Sequence, residues 1–202
     1  MTHQLNSTHQ RGFTLIELVI VLGITGLIFS GLWGLLTSGS SQLQAQSAAQ
    51  QYRQVIEAAR KYVTSEVDAT AMNVTGQHAL AVTGAAPSLT AAALLSSSFT
   101  NKAAYGNTIN VIIVTIDASK RQWRIIVYSG LTSPVPDKAG AQISSLIGSE
   151  GGFVYANATD GCSAAGTATG IACGSFNSFA LTLSTAYAGA ITNGAGRIVT
   201  LG

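Results

Sequence analysis

A single carboxylate lies inside a long apolar segment near the N-terminus. Residues 13–36 are almost entirely apolar, and Glu17 is the only ionisable side chain among them. A carboxylate deep in a bilayer costs on the order of 3 kcal/mol, and less near the interface. An ionisable residue in a membrane segment usually has a function, so we expect one for Glu17. The alternative is that Glu17 lies at the level of the lipid headgroups and has no role.

Elsewhere, the residue types that carry catalysis are isolated from one another. His78 is the only histidine after residue 12. The carboxylates of the C-terminal part are scattered singly, at Asp117, Asp137, Glu150 and Asp160. The sequence therefore lacks the groups, at suitable spacing, that metal ligation, nucleophilic catalysis and phosphate binding need. The sequence predicts no enzyme, no metal site and no cofactor, and it predicts that His78 lies in a solvated loop.

The apolar segment is long enough to cross a membrane. As a helix, residues 13–36 would be roughly 36 Å long, against about 30 Å for the hydrocarbon core. Residues 1–12 include His3, His9 and Arg11 and no acidic side chain. This charge pattern predicts a single-pass protein whose N-terminus is cytoplasmic. A secretory signal peptide would place a small residue after the apolar run, whereas here Gly12 precedes it.

The run Arg11-Gly12-Phe13-Thr14-Leu15-Ile16-Glu17 resembles the type III signal of the type IV pilin superfamily. The resemblance implies that a prepilin peptidase removes residues 1–12 as a leader by cutting between Gly12 and Phe13. It also implies methylation of the new amino group of Phe13. In this family, Glu17 would pair with the Phe13 amine of a neighbouring subunit and fix its axial register in a filament.

The resemblance also implies partners and a location. The chain would lie in the inner membrane, interact with the inner-membrane assembly platform and other pilins, and self-assemble into an extracellular helical filament. We therefore expect a structural subunit of a type IV pilus of the IVb kind. The alternatives are a low-copy minor or tip pilin, acting in adhesion or assembly initiation, and a type II secretion pseudopilin. Nucleic acid is not an expected partner, because no basic run is longer than Lys120-Arg121.

One long helix is predicted from about Thr14 to Glu66. Its first half, residues 13–36, is the membrane or filament-core part, and its second half, residues 37–66, is amphipathic. The polar residues 37–41 are expected to loosen it, and Glu57 is expected to pair with Lys61. A small-residue stripe, made of Gly26, Ser30 and Gly34, predicts close helix packing. The alternative is that membrane helices simply tolerate glycine.

Residues 67–202 are predicted to form a globular head. β-branched residues indicate strands at 109–117 and 122–129, joined as a hairpin, and closing strands at 178–185 and 197–201. Short helices are expected at 88–95 and at 137–147, the latter capped by Asp137 and ended by Gly148. The fold class is therefore α+β: a long N-terminal helical spine packed against a C-terminal antiparallel sheet, the lollipop or ladle form of pilins.

Two further features concern the head. Cys162 and Cys173, the only cysteines, are expected to close a disulfide loop once the chain is exported, the alternative being two unrelated buried thiols. Residues 105–155 resemble the constant region of shufflon-type minor pilins of conjugative thin pili. The segments that carry this resemblance are 128–130, 134–139 and 147–154.

Overall fold

The computed structural model describes residues 14–65, 76–117, 122–130, 133–155, 171–182 and 197–202. The chain divides into two compact units, Met1–Ser41 and Gln42–Gly202. The helices are α1 (Leu15–Thr64) and α2 (Asp137–Ile147). The strands are β1 (Gly76–Leu80), β2 (Ile109–Asp117), β3 (Gln122–Ser129), β4 (Gly151–Val154), β5 (Ile171–Gly174), β6 (Ala180–Thr182) and β7 (Arg197–Leu201). Two 3-10 turns, Ala104–Gly106 and Ser175–Asn177, complete the described elements.

Helix α1 begins and ends close to its predicted bounds. The Thr14 hydroxyl accepts a hydrogen bond from the Glu17 amide at 3.4 Å, so Thr14 occupies the N-cap position. The segment 37–41, which was expected to loosen the helix, is helical. Among the described side chains, Glu57 and Lys61 do not form the predicted ion pair; Arg60 instead pairs with Glu150.

The second half of α1 supplies one side of the core of the second unit. Its buried residues recur every three or four positions: Ala45, Ala48, Ala49, Tyr52, Val55, Ile56, Ala59 and Tyr62. They cluster with alternate residues of the sheet, including Val111, Ile113, Ile125, Val127 and Ile198. The buried face of the helix, which repeats every three or four residues, therefore packs against one face of the sheet, where every second residue of a strand points.

The seven strands form one antiparallel sheet in the order β1-β2-β3-β7-β4-β5-β6. Strand β7 lies at the centre, where Val127 is opposite Thr200 and Gly152 is opposite Val199. The opposite face of the sheet is also apolar and buries Ile112, Ile126, Val154, Ala172 and Val199. This burial on both faces explains why β2 and β3 do not alternate between apolar and polar residues.

Helix α2 has its predicted bounds but not its predicted cap. The N-cap position is Pro136, without a side-chain hydrogen bond, and Asp137 lies in the first turn instead. Gly148 ends the helix with a φ of 99°, a conformation that favours glycine. Ile143 and Ile147 are buried and join the core on the side of α1.

Three predictions for the head are corrected by the structure. Residues 88–95 form turns rather than a helix, because Ala93 has a positive φ of 56° and the amides of Leu94 and Leu95 both donate back to Leu89 O. His78 lies in β1 and is half-buried, not in a solvated loop. The strand expected at 178–185 begins at Ala180 rather than at Ser178, and residues 183–185 lie outside the described residues.

Strands β1, β4 and β5 were not predicted. In β4, glycines replace the expected β-branched residues because neighbouring groups approach the backbone closely. A Cβ on Gly151 would lie 2.4 Å from Ser144 O, and one on Gly152 would lie 2.6 Å from Phe179 Cζ. The turn between β2 and β3, predicted at 118–120, lies outside the described residues.

Candidate processing and assembly site

Glu17 lies in the first turn of α1 and is exposed. It follows Thr14 by three residues, the spacing of the capping-box pattern, and its amide is held by the Thr14 hydroxyl and carbonyl. The unpaired amides of this turn form the positive end of the helix dipole, which stabilises a nearby carboxylate. The start of the helix thus lowers the cost of this charge in an apolar setting. This cap was not predicted, although the Thr-Leu-Ile-Glu spacing carries the signal.

The helix after Glu17 has the composition of a membrane span. Residues Leu15–Trp33 have a mean hydropathy of 2.3, and none of this segment is buried in the chain. The two hydroxyls within it are satisfied by the helix itself, because Thr25 Oγ1 donates to Val21 O at 2.6 Å and Ser30 Oγ donates to Leu27 O at 2.9 Å. Glu17 is therefore the one charged group of this segment, and it lies at its N-terminal end.

The small-residue stripe lies on α1 and is not required by packing within the chain. A Cβ built on Gly26 would meet no atom within 4 Å. Ser30 and Gly34 belong to the same helix. Glycine at position 26 is therefore not needed for packing within the described part of the chain, and the predicted role of the stripe in packing between helices stays a prediction.

The remaining predicted site residues are only partly described. Gly12 and Phe13, the predicted cleavage and methylation positions, lie outside the described residues. Cys173 lies in β5, opposite Phe153 of β4. Cys162 lies outside the described residues, so the disulfide stays a prediction.

Buried polar groups of the second unit support the fold. Tyr52 is fully buried, and burial raises the pKa of its hydroxyl well above the usual value. The nearby Ser129 hydroxyl opposes this shift, but the two oxygens do not meet hydrogen-bond geometry, so burial prevails. Ser129 Oγ instead accepts a hydrogen bond from the Ile198 amide at 3.0 Å. A phenol held neutral in this way is not suited to acid–base catalysis near pH 7.

Arg197 and Tyr128 contact each other on the other face of the sheet. The guanidinium carbon lies 5.6 Å from the ring centroid of Tyr128, and Nη1 donates to Ser129 O at 3.2 Å. Burial lowers the pKa of Arg197 and raises that of Tyr128, and each group partly offsets the shift of the other. Over the part of the chain that the structure describes, no three His, Cys, Asp or Glu side chains come close enough to hold a metal ion.

Comparison with known proteins gives one match. The family of the prokaryotic N-terminal methylation motif matches residues 7–33, which include Glu17 and the candidate membrane span. No curated protein and no solved structure shows significant similarity to the chain. The matched motif, followed by an apolar helix and an antiparallel sheet in an α+β fold, supports a type IV pilin-like or pseudopilin-like substrate of prepilin peptidase.

Proposed function

We propose that the chain is a structural subunit of a type IV pilus of the IVb kind. Prepilin peptidase cuts it between Gly12 and Phe13 and methylates Phe13, and the product assembles through α1. The observation that carries the proposal is the capped Glu17 at the start of an unburied apolar helix, inside the matched methylation motif. The same placement suits charge pairing, because an exposed carboxylate in the first turn of an apolar helix is accessible to the Phe13 amine of a neighbouring subunit.

The proposal accounts for the two environments that the chain must occupy. Before assembly, lipid covers the apolar segment Leu15–Trp33, which no part of the chain buries. After assembly, the apolar segments of neighbouring subunits cover one another in an extracellular filament. The charged fraction of 9% agrees with a protein that is packed against copies of itself, since globular proteins have about 25%. A structural role of this kind needs no catalytic residue and no cofactor.

Mass spectrometry of sheared, purified surface filaments tests the proposal. We expect a peptide that begins at N-methylated Phe13 to be a dominant species. The control is the same strain without prepilin peptidase, in which the chain should keep residues 1–12 and be absent from filaments.

The abundance of that peptide separates the alternatives. A few per cent of filament protein or less would contradict a principal structural role and support a minor or tip pilin, as in the shufflon-type group. A processed chain that stays in the membrane and is absent from filaments would support a pseudopilin. A chain that is never cleaved at Gly12 would contradict the proposal as a whole.

A further inference from the structure

Phe176 is exposed by a strained turn. It is 86% exposed, the highest value among the large apolar side chains that the structure describes. Its φ of 55° lies in the left-handed region, which is unfavourable for a residue with a Cβ. An aromatic side chain that stays in water gains nothing to offset this strain within its own chain. Such an outlier is a reason to look for a role outside the chain.

Hydrogen bonds hold this turn in place. Ser175 Oγ lies 2.6–2.9 Å from three carbonyl oxygens between the last turns of α2 and the start of β4. Ser178 Oγ donates to Ser149 O at 2.7 Å. The residues on either side of Phe176 are therefore fixed to the α2–β4 connection. A backbone that is already ordered loses little conformational entropy when a partner covers the side chain that it carries.

Ile116 is also exposed, at a β-bulge in strand β2. Thr115 is opposite Trp123 and Asp117 is opposite Gln122, so Ile116 is the extra residue of a β-bulge. Its side chain is 49% exposed, although it belongs to a strand whose other isoleucines are buried. Bulges re-aim side chains and are frequent at functional positions.

The two residues lie on opposite sides of the centre of the sheet and at different heights along its strands, because the pairings align Gly174 of β5 with Asn110 of β2, six residues before Ile116. Strands β2 and β5 run in the same direction, because three antiparallel strands separate them. Ile116 is near the C-terminal end of β2, and Phe176 follows the C-terminal end of β5. Four steps between neighbouring strands place β2 and β5 about 19 Å apart. The chain therefore presents two separate apolar points, not one continuous patch.

We propose that these two points join successive copies of this chain, with Phe176 of one copy packed against the Ile116 side of the next. This inference rests on the proposed function, since it needs a repeating assembly. Two different surfaces that fit each other give a head-to-tail contact, which repeats into an open filament instead of closing as a dimer. Asn177 and Ser178, which follow Phe176, are uncharged, so they do not repel the carboxylate of Asp117 that follows Ile116.

Photo-crosslinking from residue 176 tests the contact. The full-length chain carries p-benzoylphenylalanine at position 176, and intact sheared filaments are irradiated, separated on a denaturing gel and digested with trypsin. We expect a band of two chains in which residue 176 is joined to the peptide 103–120, which contains Ile116. The same chain dispersed in detergent is the control and should give no such band.

The outcomes separate this contact from the proposed function. If filaments contain processed chain but residue 176 crosslinks to other peptides, to another protein or to lipid, the contact is overturned and the pilus role stands. If the chain is absent from filaments, the proposed function is overturned and the contact with it.

Substitution of Phe176 gives a second, independent test. Asn tolerates the left-handed conformation, so Phe176→Asn should leave the melting temperature of the purified full-length chain unchanged or raise it. The same change should lower filament recovery about tenfold, as for an interface hot spot. Phe176→Leu keeps an apolar side chain and should retain most of the filaments. Wild-type recovery with Phe176→Asn would overturn the proposal.

Discussion

At the scale of single residues, the position of Glu17 in its helix matters as much as its charge. The carboxylate lies in the first turn of α1, where the Thr14 cap and the free amides already offset part of its cost. We therefore expect the membrane to tolerate this carboxylate before a partner arrives, and its pairing with the Phe13 amine of another subunit remains our hypothesis. A carboxylate in the middle of Leu15–Trp33 would have no such local stabilisation.

We expect Glu17→Gln to be cleaved normally but to lower filament recovery about tenfold, because the incoming amine would be left unpaired in an apolar setting. Filament recovery and the processed fraction are measured on the same cultures. Thr25→Val is the matched control, since the Thr25 hydroxyl only returns a hydrogen bond to its own helix. Normal filaments with Glu17→Gln would refute the pairing.

Tyr52 gives a prediction about pH. Its pKa is higher in the folded than in the unfolded chain, so its contribution to stability is complete below about pH 10 and is lost as the pH rises further. Tyr52→Phe removes the ionisable group. We therefore expect the variant to lose less stability than the wild type between pH 8 and pH 11, measured by urea unfolding.

At pH 8 the same substitution should change the free energy of unfolding little, because the Tyr52 hydroxyl makes no well-formed hydrogen bond with the described residues. An identical loss of stability at high pH in both proteins would show that Tyr52 does not cause it. Tyr128 remains in the variant and accounts for part of the residual loss, since burial raises its pKa too.

At the scale of elements, close approach between α2 and β4 explains why both contain glycine. The ring of Phe153 lies against the backbone of Gly140, and a Cβ there would be 2.0 Å from Cε2. Phe153 is fully buried, so its ring has no free space into which to move. Helix propensity alone would favour alanine at this position by about 1 kcal/mol. Packing reverses that preference.

Gly140→Ala is expected to destabilise the fold by about 1–3 kcal/mol through overpacking, in spite of the gain in helix propensity. Ser145→Ala in the same helix is the control, because Ser145 is exposed and bonds only within α2. Its free energy of unfolding should stay within about 0.5 kcal/mol of the wild-type value. A stabilised Gly140→Ala variant would contradict the packing of Phe153 described above.

Two arginines of α1 contact the end of α2 and the connection that follows it. Arg53 donates to the carbonyl of Leu146, and Arg60 pairs with Glu150. Seven residues separate the two arginines, so they lie on the same side of the helix. Arg53 reaches carbonyls at the C-terminal end of α2, where cations are favoured. Helix α1 thus makes polar contacts with the end of α2 and apolar contacts with the sheet.

At the scale of the whole molecule, the proposed route through the cell membrane predicts the redox state of the cysteines. Once outside the cytoplasm, Cys162 and Cys173 should form a disulfide, which closes a loop of about 12 residues and contributes roughly 2–3 kcal/mol in the chain-entropy account. We expect the mass of the purified protein to be unchanged by alkylation without reductant. After reduction, two alkyl adducts should appear. Two adducts without reductant would refute the bridge.

The sequence by itself determined the elements whose signals are local. Strands β2, β3 and β7 and helix α2 have their predicted bounds, because β-branched runs, helical spacing and a terminal glycine act within a few residues. The apolar segment and the methylation motif are also local, and the motif is confirmed by the family match at residues 7–33. The roles assigned to Gly12, Phe13 and Glu17 within that motif stay predictions.

Only the tertiary structure decided the elements that depend on distant partners. Half of the residues of strand β4 are glycines, and the strand exists because β7 and β5 pair with it on either side. Residues 88–95 have helical composition, but Ser88 is held in a bridge to Ala81, and the positive φ of Ala93 ends the turn that follows. The strained turn of Phe176 likewise depends on the bonds of Ser175 to the α2–β4 connection, and the bulge at Ile116 depends on the pairing of β2 with β3. Intrinsic propensity is worth a fraction of a kcal/mol per residue, so it yields wherever burial and pairing favour another conformation.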